Sequence, residues 1–349
     1  MPAHPLKIGL IGAGRIGSLH AEHLATRIPS AQLLMIADAN EEAARFCAER
    51  FAVPYCTDDY MNLLKHPDIQ AVIICTSTNT HAQIIEEAAR MGKHIFCEKP
   101  IALDLPSIDR ALAAVEQASV EQEIKLQIGF NRRFDANYRR VRQAVEQAEI
   151  GRPHLLHIIS RDPAPPPIEY IRVSGGIFLD MMIHDFDMAR FLIGDEVEEV
   201  FTLAGVMSDP DIGEAGDVDT AVVMLRFANG VIATIDNSRR AAYGYDQRVE
   251  LLGSAGAIRT DNNYPNTAII SDGHSVRRDL PLHFFLERYT ESFVRELTAF
   301  IEAIQHDQPV PVNGQDGRAP VLMAMAALKS LQLKQPVRLS EISANHAQQ

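Results

Sequence analysis

The chain has 349 residues and a formal net charge of −13, with 46% hydrophobic and 23% charged residues. This composition is typical of a globular protein, and the length predicts about two domains of ~100–200 residues each. The negative charge argues against DNA or RNA as a partner, because nucleic-acid binding requires a positive face. No uncharged apolar stretch reaches the ~18 residues that a membrane span needs, so no membrane association is predicted.

The N-terminal residues run directly into an apolar strand, without the basic region, apolar segment or cleavage site of a secretory leader. We therefore expect a cytoplasmic protein. The four cysteines, at positions 47, 56, 75 and 97, form no Cys-x-x-Cys pair. They are predicted to be reduced, mostly buried thiols and not a zinc or redox site.

The first part of the chain alternates apolar runs with helix-like segments. Near-continuous apolar strands separated by helices are typical of a parallel sheet covered on both faces, so residues 1–125 are predicted to form a doubly wound α/β domain. The predicted strands are Leu6–Ile11, Gln32–Ala37, Ala71–Cys75, His94–Cys97 and Lys125–Ile128. The predicted helices lie near Arg15–Arg27, Glu41–Arg50, Asp58–Leu64, His81–Met91 and Leu105–Ala118.

The remaining residues, 126–349, are predicted to form a second α/β domain that holds the substrate. Its strands follow one another closely, and Asn229-Gly230 is a hairpin signal, so a mostly antiparallel, open-faced sheet is expected. One helix over Ile177–Ile193 interrupts this half, and helices near Glu287–His306 and Ala319–Gln332 close the chain. The predicted strands are His154–Ser160, Val197–Val206, Thr220–Phe227, Val231–Asn237 and Gln247–Leu252.

The first strand leads into the Gly-x-Gly-x-x-Gly motif Gly12-Ala13-Gly14-Arg15-Ile16-Gly17 at the start of a helix. In such a motif the first glycine makes the turn, the second admits a pyrophosphate and the third packs the helix on the strand. Asp38 ends the second strand, where a carboxylate accepts both ribose hydroxyls and repels a 2′-phosphate. The pattern therefore predicts NAD as the cofactor and disfavours NADP, although a lone Asp38 is also compatible with an ordinary turn.

Small polar side chains follow the next predicted strand, at the edge of the sheet where ligands bind in open α/β folds. We predict that they contact the cofactor, and the alternative is that Thr78 or Asn79 caps the following helix. Glu98 and Lys99 end the fifth strand at the same edge and are included in the predicted cofactor site. The residues in question are Thr76, Thr78, Asn79 and His81.

A group of candidate catalytic residues lies far along the chain, in the predicted helix Ile177–Ile193. At about 100° per residue, Asp180, His184 and Asp187 share one face with apolar neighbours, where ionisable groups need partners or a ligand. His184 suits removal of a hydroxyl proton, Asp180 suits orienting the imidazole, and Lys99 suits stabilising a developing alkoxide. A buried Asp180–His184 pair that only anchors the helix is the alternative. No metal is predicted, since the set lacks the usual ligands.

Taken together, Gly12–Gly17, Thr78-Asn79-Thr80-His81, Glu98-Lys99-Pro100 and Asp180–His184 resemble the Gfo/Idh/MocA oxidoreductase family over essentially the whole chain. The resemblance implies a Rossmann domain, a C-terminal domain with an open-faced sheet, and an active site built on Lys99, Asp180 and His184. It also implies homo-oligomers formed through the open sheet, commonly tetramers, and a Lys99–Pro100 peptide bond that can be cis.

Within that family, the segments Gly129–Asp135, Ser160–Pro163 and Gly175–Gly194 are most similar to members that oxidise inositols. By that likeness Asn131, Arg132, Arg161 and Asp162 reach polyol hydroxyls, with Asn237 and Tyr243 as weaker candidates. Arg132 and Arg133 are equally compatible with solvated positions at the start of a helix.

We therefore predict NAD-dependent oxidation of a polyol ring hydroxyl, with myo-inositol converted to 2-keto-myo-inositol (scyllo-inosose) and hydride transferred to NAD. Another inositol isomer or an aldopyranose remains an alternative substrate. A sugar- or dinucleotide-sensing regulator without turnover is the alternative from a different class, because one fold supports many functions.

Overall fold

The computed structural model describes residues 4–120 and 122–346. By its internal contacts the chain forms two compact units, one running up to Asn131 and including Glu291–Val321, the other containing Arg132–Thr290 and the chain from Leu322 onward. Residues 1–3, where no leader was predicted, and 347–349, in a predicted polar tail, lie outside the described residues. The segment Glu291–Val321 thus belongs to the first unit although it follows the second unit in the chain, and each unit is described separately below.

The first unit contains a six-stranded parallel sheet of order β3-β2-β1-β4-β5-β6. Apolar strands alternating with helices confirm the predicted doubly wound fold. The short strand β3 was not predicted because it lies at the sheet edge and two of its three residues are exposed. The elements are β1 (Leu6–Ile11), α1 (Arg15–Thr26), β2 (Ala31–Ala37), α2 (Glu41–Arg50), β3 (Tyr55–Thr57), α3 (Tyr60–Lys65), β4 (Ala71–Ile74), α4 (Thr78–Arg90), β5 (His94–Glu98), α5 (Leu105–Ala118) and β6 (Leu126–Gly129).

A 3₁₀ turn over Asn131–Phe134 follows, and the second unit then builds a seven-stranded sheet of order β12-β11-β7-β10-β9-β8-β15. The remaining elements of the chain, of which α12 and the first part of α13 belong to the first unit, are in chain order α6 (Ala136–Glu146), β7 (Pro153–Arg161), α7 (Ile168–Ile171), α8 (Gly176–Asp180), α9 (Ile183–Ile193), β8 (Val197–Gly205), α10 (Pro210–Glu214), β9 (Thr220–Phe227), β10 (Ile232–Ser238), β11 (Asp246–Gly253), β12 (Gly256–Thr260), β13 (Ile269–Ser271), β14 (Val276–Arg278), α11 (Phe285–Arg288), α12 (Thr290–Gln305), α13 (Gly314–Leu333), β15 (Val337–Arg338) and α14 (Leu339–His346).

The pairing in this sheet is antiparallel apart from β7 and β10, which run parallel. The predicted Asn-Gly hairpin is confirmed: it joins β9 to β10, and Gly230 has a φ of +87°, a conformation that glycine adopts without steric penalty. The hairpin returns the chain so that β10 lies between β9 and β7. The expectation of a mostly antiparallel sheet is thus confirmed.

The predicted continuous helix Ile177–Ile193 is wrong. The structure contains two helices, α8 and α9, separated at Met181–Met182. The backbone N–H of Met182 donates to the carbonyl of Ile177, five residues back, at 2.8 Å, and that of His184 donates to Met181, three residues back, at 3.4 Å. This change in hydrogen-bond spacing ends one helix and starts the next, so Asp180 and His184 do not share a single helix face.

Several apolar side chains on one face of the second sheet are exposed. Strand β9 alternates buried and exposed residues along its length, as a sheet with one uncovered face requires. The exposed positions pair across strands in rows, such as Leu252, Leu155 and Ile232, or Leu203 and Val222. Within the described ranges, no helix is both long and apolar enough to cross a membrane.

Candidate active site

The glycine turn after β1 combines two crowded positions with one open position. A Cβ on Gly12, whose φ is +97°, would lie 2.6 Å from the carbonyl of Cys75, and a Cβ on Gly17 would lie 1.8 Å from the Gly12 oxygen. A Cβ on Gly14 would meet no atom within 4 Å. Gly14 is also the N-cap residue of α1 and, having no side chain, makes no side-chain cap for the first N–H groups of the helix. Packing therefore requires the first and third glycines, and the second leaves room for a phosphate.

Asp38 lies against this turn. Its Oδ2 accepts a hydrogen bond from the backbone N–H of Ala13 at 2.7 Å, and its Oδ1 accepts one from Asn40 at 2.8 Å. These two bonds fix the carboxylate beside the glycine turn while each oxygen keeps a further acceptor position. The arrangement fits the predicted role of accepting ribose hydroxyls.

The polar segment after β4 forms the next part of this edge. Thr76 and Thr80 share a hydrogen bond between their hydroxyls at 2.7 Å, and Ser77 occupies the N-cap of α4. Thr78 and Asn79 lie in the first helical turn, so the alternative that one of them is the N-cap is wrong. Their contact with a cofactor remains a prediction.

His81 is buried and ties two loops of the edge together. Its ring nitrogens lie 2.8 Å from the carbonyl of Pro100 and 3.0 Å from that of Thr76. Burial lowers the pKa of His81, against the opposing effect of these two carbonyl acceptors. His81 therefore contacts two backbone carbonyls of the protein itself. These contacts suit a role in positioning the segments that carry Thr76 and Lys99.

Lys99 follows directly after β5 and is half-buried. The Lys99–Pro100 peptide bond is cis, as the family resemblance implied. The Glu98 side chain turns away toward His20, with 2.7 Å between Glu98 Oε1 and His20 Nε2. Because carboxyl ends of parallel strands meet at one edge, the glycine turn, Asp38, Thr76 and Lys99 all lie at the same edge of the first sheet.

In the second unit, Asp180 is held by two side chains that were not predicted. The hydroxyl of Tyr170 donates to Asp180 Oδ1 at 2.9 Å, and Arg239 Nη1 lies 3.3 Å from Oδ2. Arg239 is 1% exposed, and its other terminal nitrogen lies 3.4 Å from Asp217. Asp217 in turn accepts the N–H of Ile177, at the start of α8. This network fixes the end of α8, where Asp180 lies.

His184 lies one residue into α9, across the Met181–Met182 break from Asp180, and is half-buried. The described bonds of Asp180 are with Tyr170 and Arg239. A direct Asp180–His184 hydrogen bond therefore stays a prediction.

Asp162 follows β7 in the same region. Burial raises the pKa of this carboxyl to about 6, opposed by the charges of Arg132 and Arg239 and reinforced by those of Asp180 and Asp185. The two arginines and the two carboxylates are therefore electrostatic neighbours of Asp162. A carboxyl that titrates near neutral pH in such a cluster is typical of a functional site.

The predicted arginines are engaged with carboxylates, so the alternative that they are solvated is wrong. Arg132 Nη1 lies 2.7 Å from Asp185, and Arg133 Nη2 lies 2.6 Å from Asp187. Arg161 pairs with Asp236 and donates to the Tyr243 hydroxyl at 3.1 Å.

The Asn237 amide donates to Asp185 at 2.9 Å, and Asn131, in the first unit, is buried. Contacts of these predicted residues with a substrate remain predictions.

Sequence reasoning missed Tyr170, Asp217 and Arg239. Arg239 lies one residue beyond β10, and Tyr170 lies in the short helix α7, which follows Pro165-Pro166-Pro167. The position of Arg239 just after a predicted strand was a usable signal. The ion pair with Asp180 could not be predicted, because it joins residues 59 positions apart.

The first unit presents a dinucleotide-binding edge, and the second presents a carboxylate and a histidine suited to alcohol chemistry. These features define the class of the protein as a nicotinamide-dependent oxidoreductase. Residues 6–125 match the family model described as "Oxidoreductase family, NAD-binding Rossmann fold", and residues 138–259 match the "GFO/IDH/MocA C-terminal domain". The chain belongs to the Gfo/Idh/MocA oxidoreductase family and is an enzyme that acts on CH–OH groups.

Similar proteins extend over nearly the whole chain. A myo-inositol 2-dehydrogenase of Thermotoga maritima is 49% identical over 97% of this chain and 99% of its own length. An inositol 2-dehydrogenase of Rhizobium meliloti is 45% identical over 96% of this chain and 99% of its own. The crystal structure of a scyllo-inositol dehydrogenase from Lactobacillus casei, with bound NAD(H) and scyllo-inositol, is 30% identical, covers 96% of this chain and 99% of that one, and has a TM-score of 0.89.

Proposed function

We propose that the protein oxidises myo-inositol at C2 to scyllo-inosose, with NAD as the hydride acceptor. The observation that carries this proposal is the polar cluster around Asp180 in the second unit, where Asp162, Tyr170 and Arg239 surround the carboxylate. A polyol needs several fixed donors and acceptors, because an unmatched buried polar group discriminates strongly against analogues. The inositol dehydrogenases among the similar proteins support the same substrate class.

In the proposed reaction, the carbon gives up a hydride and its hydroxyl gives up a proton, so that the C–O bond becomes a carbonyl. NAD, when bound, supplies the electrophilic nicotinamide carbon that accepts the hydride. His184 takes the hydroxyl proton, since an imidazole titrates near working pH. Asp180, held by Tyr170 and Arg239, stabilises the imidazolium, and Lys99 donates to the developing alkoxide.

The proposed preference for NAD over NADP rests on Asp38. Its carboxylate is anchored beside the glycine turn by the N–H groups of Ala13 and Asn40. An anion at this position accepts the two ribose hydroxyls of NAD and repels the 2′-phosphate of NADP. The open position at Gly14 provides room for the pyrophosphate.

We propose that Asp162 accepts hydrogen bonds from the polyol hydroxyls, and that Asn131, Arg132 and Arg161 also contact the polyol. Because Arg132 and Arg161 already pair with Asp185 and Asp236, we propose that they donate to the polyol through N–H groups that these pairs leave over. A guanidinium has five donors in a fixed fork, so an ion pair does not exhaust it.

scyllo-Inositol is the second candidate substrate, because a neighbouring solved structure was determined with that isomer bound. The two isomers differ only in the orientation of the hydroxyl at C2. Discrimination between them depends on the donor and acceptor placed beside that single hydroxyl.

We also propose that the protein is a homo-oligomer, most simply a tetramer, formed through the open face of the second sheet. The exposed apolar rows on this face, with Leu155, Val222 and Ile232 among them, support the proposal, since contiguous apolar patches mark interfaces. Light scattering should give a mass that is a multiple of the 38.6 kDa chain, and Val222→Lys should lower it. A monomeric wild type would contradict the proposal.

The proposed activity is tested by absorbance of reduced nicotinamide with purified protein, NAD or NADP, and a panel of inositols and pyranoses. Reduction of NAD with myo-inositol supports the full proposal, and reduction only with scyllo-inositol or a pyranose replaces the substrate. No reduction with any of them, despite measurable NAD binding, would favour a sensor.

A further inference from the structure

Three ionisable side chains meet inside the first unit, beneath the turn that carries Lys99. They are His20 of α1, Glu98 at the end of β5 and Glu296 of α12, and one nitrogen or oxygen from each lies within 4.8 Å of the others. His20 and Glu296 are fully buried, and the Glu98 side chain is 13% exposed. Phe96 and Phe293 contact the His20 ring edge-on, so the surroundings of the cluster are largely apolar.

Glu296 is the unexplained member of this cluster. Within the described part of the chain, neither of its carboxylate oxygens has a hydrogen-bond partner, and the same holds for Oε1 of Gln127. The Gln127 amide donates to the backbone carbonyl of Glu296 at 2.8 Å, which fixes this turn of α12 against β6. An ionised carboxylate buried in this way is strongly disfavoured, so the group must hold a proton or face a cation.

The distances favour a proton over a metal ion. Ligands that share a zinc ion at about 2.0–2.2 Å lie roughly 3 Å or more from one another. His20 Nε2 and Glu98 Oε1 are 2.7 Å apart, which is a hydrogen-bond distance. Burial raises the pKa of Glu296 well above its usual range, and the like charge of Glu98 raises it further. Burial raises the pKa of the Cys75 thiol, which lies just after β4, and the charges of Glu98 and Glu296 raise it further.

Glu98 links this cluster to the cofactor edge. Its backbone pairs with Gly129 in the sheet, and a Cβ at Gly129 would lie 3.0 Å from Glu98 Oε2, so β6 leaves only enough room for the carboxylate. The next residue is Lys99, to which the proposed function assigns a contact with the alkoxide. Glu98 therefore connects the cluster to Lys99 directly through the backbone.

We propose that Glu296 is a positioning residue: as a buried neutral acid it keeps its proton, donates a hydrogen bond through a bridging water to the His20–Glu98 pair, and thereby fixes the turn that carries Lys99. The gap of up to 4.8 Å between these groups is one that a single water molecule bridges. The kinetic part of this inference rests on the proposed function. The protonation state of Glu296 does not.

The first test is the infrared difference spectrum between the wild-type protein and Glu296→Gln at neutral pH. The carbonyl stretch of a protonated carboxylic acid should be present in the wild type and absent from the variant. Glu302→Gln, which changes an exposed glutamate on the same helix, serves as the matched control and should leave this band in place. Absence of the band in the wild type, or a stoichiometric metal ion lost on Glu296→Gln, would overturn the inference.

The second test compares Glu296→Gln with Glu296→Met in steady-state kinetics. Glutamine keeps a neutral donor and acceptor, so its kcat should stay within about twofold of the wild-type value. Methionine fills the space without a donor, so kcat should fall about tenfold or more while the Kd for NAD changes little. Equal kcat values in both folded variants would overturn the positioning role. A wild-type protein inactive on every polyol would contradict the proposed function and leave the infrared result standing.

Discussion

The guanidinium of Arg239 lies between two carboxylates, 3.3 Å from Asp180 and 3.4 Å from Asp217, although the residues come from different elements of the second unit. Arg239 is almost completely buried, whereas its two partners retain some exposure. A buried cation with two acceptors fixes their positions more strictly than a surface ion pair would. This relationship defines the direction in which Asp180 presents its carboxylate.

Arg239→Met should therefore lower both activity and stability. Loss of the guanidinium leaves two partly buried carboxylates without their cation, which should reduce the free energy of unfolding by about 2–3 kcal/mol. Misplacement of Asp180 should reduce kcat about tenfold or more. Chemical denaturation and steady-state kinetics measure the two effects. Arg240→Met, which removes the exposed neighbouring arginine, is the matched control and should change neither quantity appreciably.

His184→Ala should reduce turnover by roughly 100-fold or more, because the proposed proton acceptor is removed. The Kd for NAD should stay close to the wild-type value, since His184 lies in the second unit and the glycine turn lies in the first. His154→Ala, at an exposed position, should retain full activity. Wild-type turnover in the His184 variant would remove this residue from the mechanism.

Asp38→Ala should erode the preference for NAD over NADP. The change removes the anion that repels a 2′-phosphate, so the ratio of kcat/KM for the two cofactors should shift toward NADP by about tenfold or more. Asp38→Ala also removes the acceptor for the Ala13 N–H. Asp38→Asn keeps an acceptor but lacks the charge, so comparing the two variants distinguishes the effect of the charge from that of the hydrogen bond. Asp59→Ala, which changes an exposed aspartate in the same unit, should leave the ratio unchanged. An unaltered ratio in both Asp38 variants would refute the ribose contact.

Asp162 should give substrate binding a pH dependence. Burial raises the pKa of this carboxyl to about 6, so the group is neutral below that pH and ionised above it. An ionised carboxylate is a stronger hydrogen-bond acceptor for polyol hydroxyls than the neutral acid. The Kd for inositol should therefore fall about tenfold between pH 5 and pH 7. Fluorescence titration of the enzyme saturated with reduced NAD measures this. Asp162→Asn should flatten the dependence, and the same slope in that variant would assign the titration to another group.

Much of the first unit could be predicted from the sequence because its strands are buried on both faces and appear as uninterrupted apolar runs. The boundaries of β1, α2 and α5 agree with the prediction, whereas the exposed edge strand β3 carries no such signal. The break between α8 and α9 was missed because the helical periodicity of the side chains continues through Met181 and Met182 while the backbone hydrogen bonds do not.

The candidate site was predictable only in part, for a related reason. The glycine motif, Asp38 and Lys99 each follow the end of a strand. Strand ends can be predicted from the local sequence pattern, so these positions were predictable. Arg239 and Glu296 lie close to residues that are distant in sequence, and a single sequence contains no record of such pairs. Arg132 and Arg133 could not be separated from solvated arginines because their carboxylate partners, Asp185 and Asp187, lie on another helix.

The proposed hydride transfer from C2 of myo-inositol to NAD is tested most directly by following the hydrogen that is transferred. The protein would be incubated with NAD and myo-inositol deuterated at C2, and the reduced cofactor would be examined by mass spectrometry. We expect one deuterium in each reduced cofactor, with formation of scyllo-inosose. Reduced cofactor without deuterium would place the oxidation at a different carbon, and no reduced cofactor at all would contradict the proposed reaction.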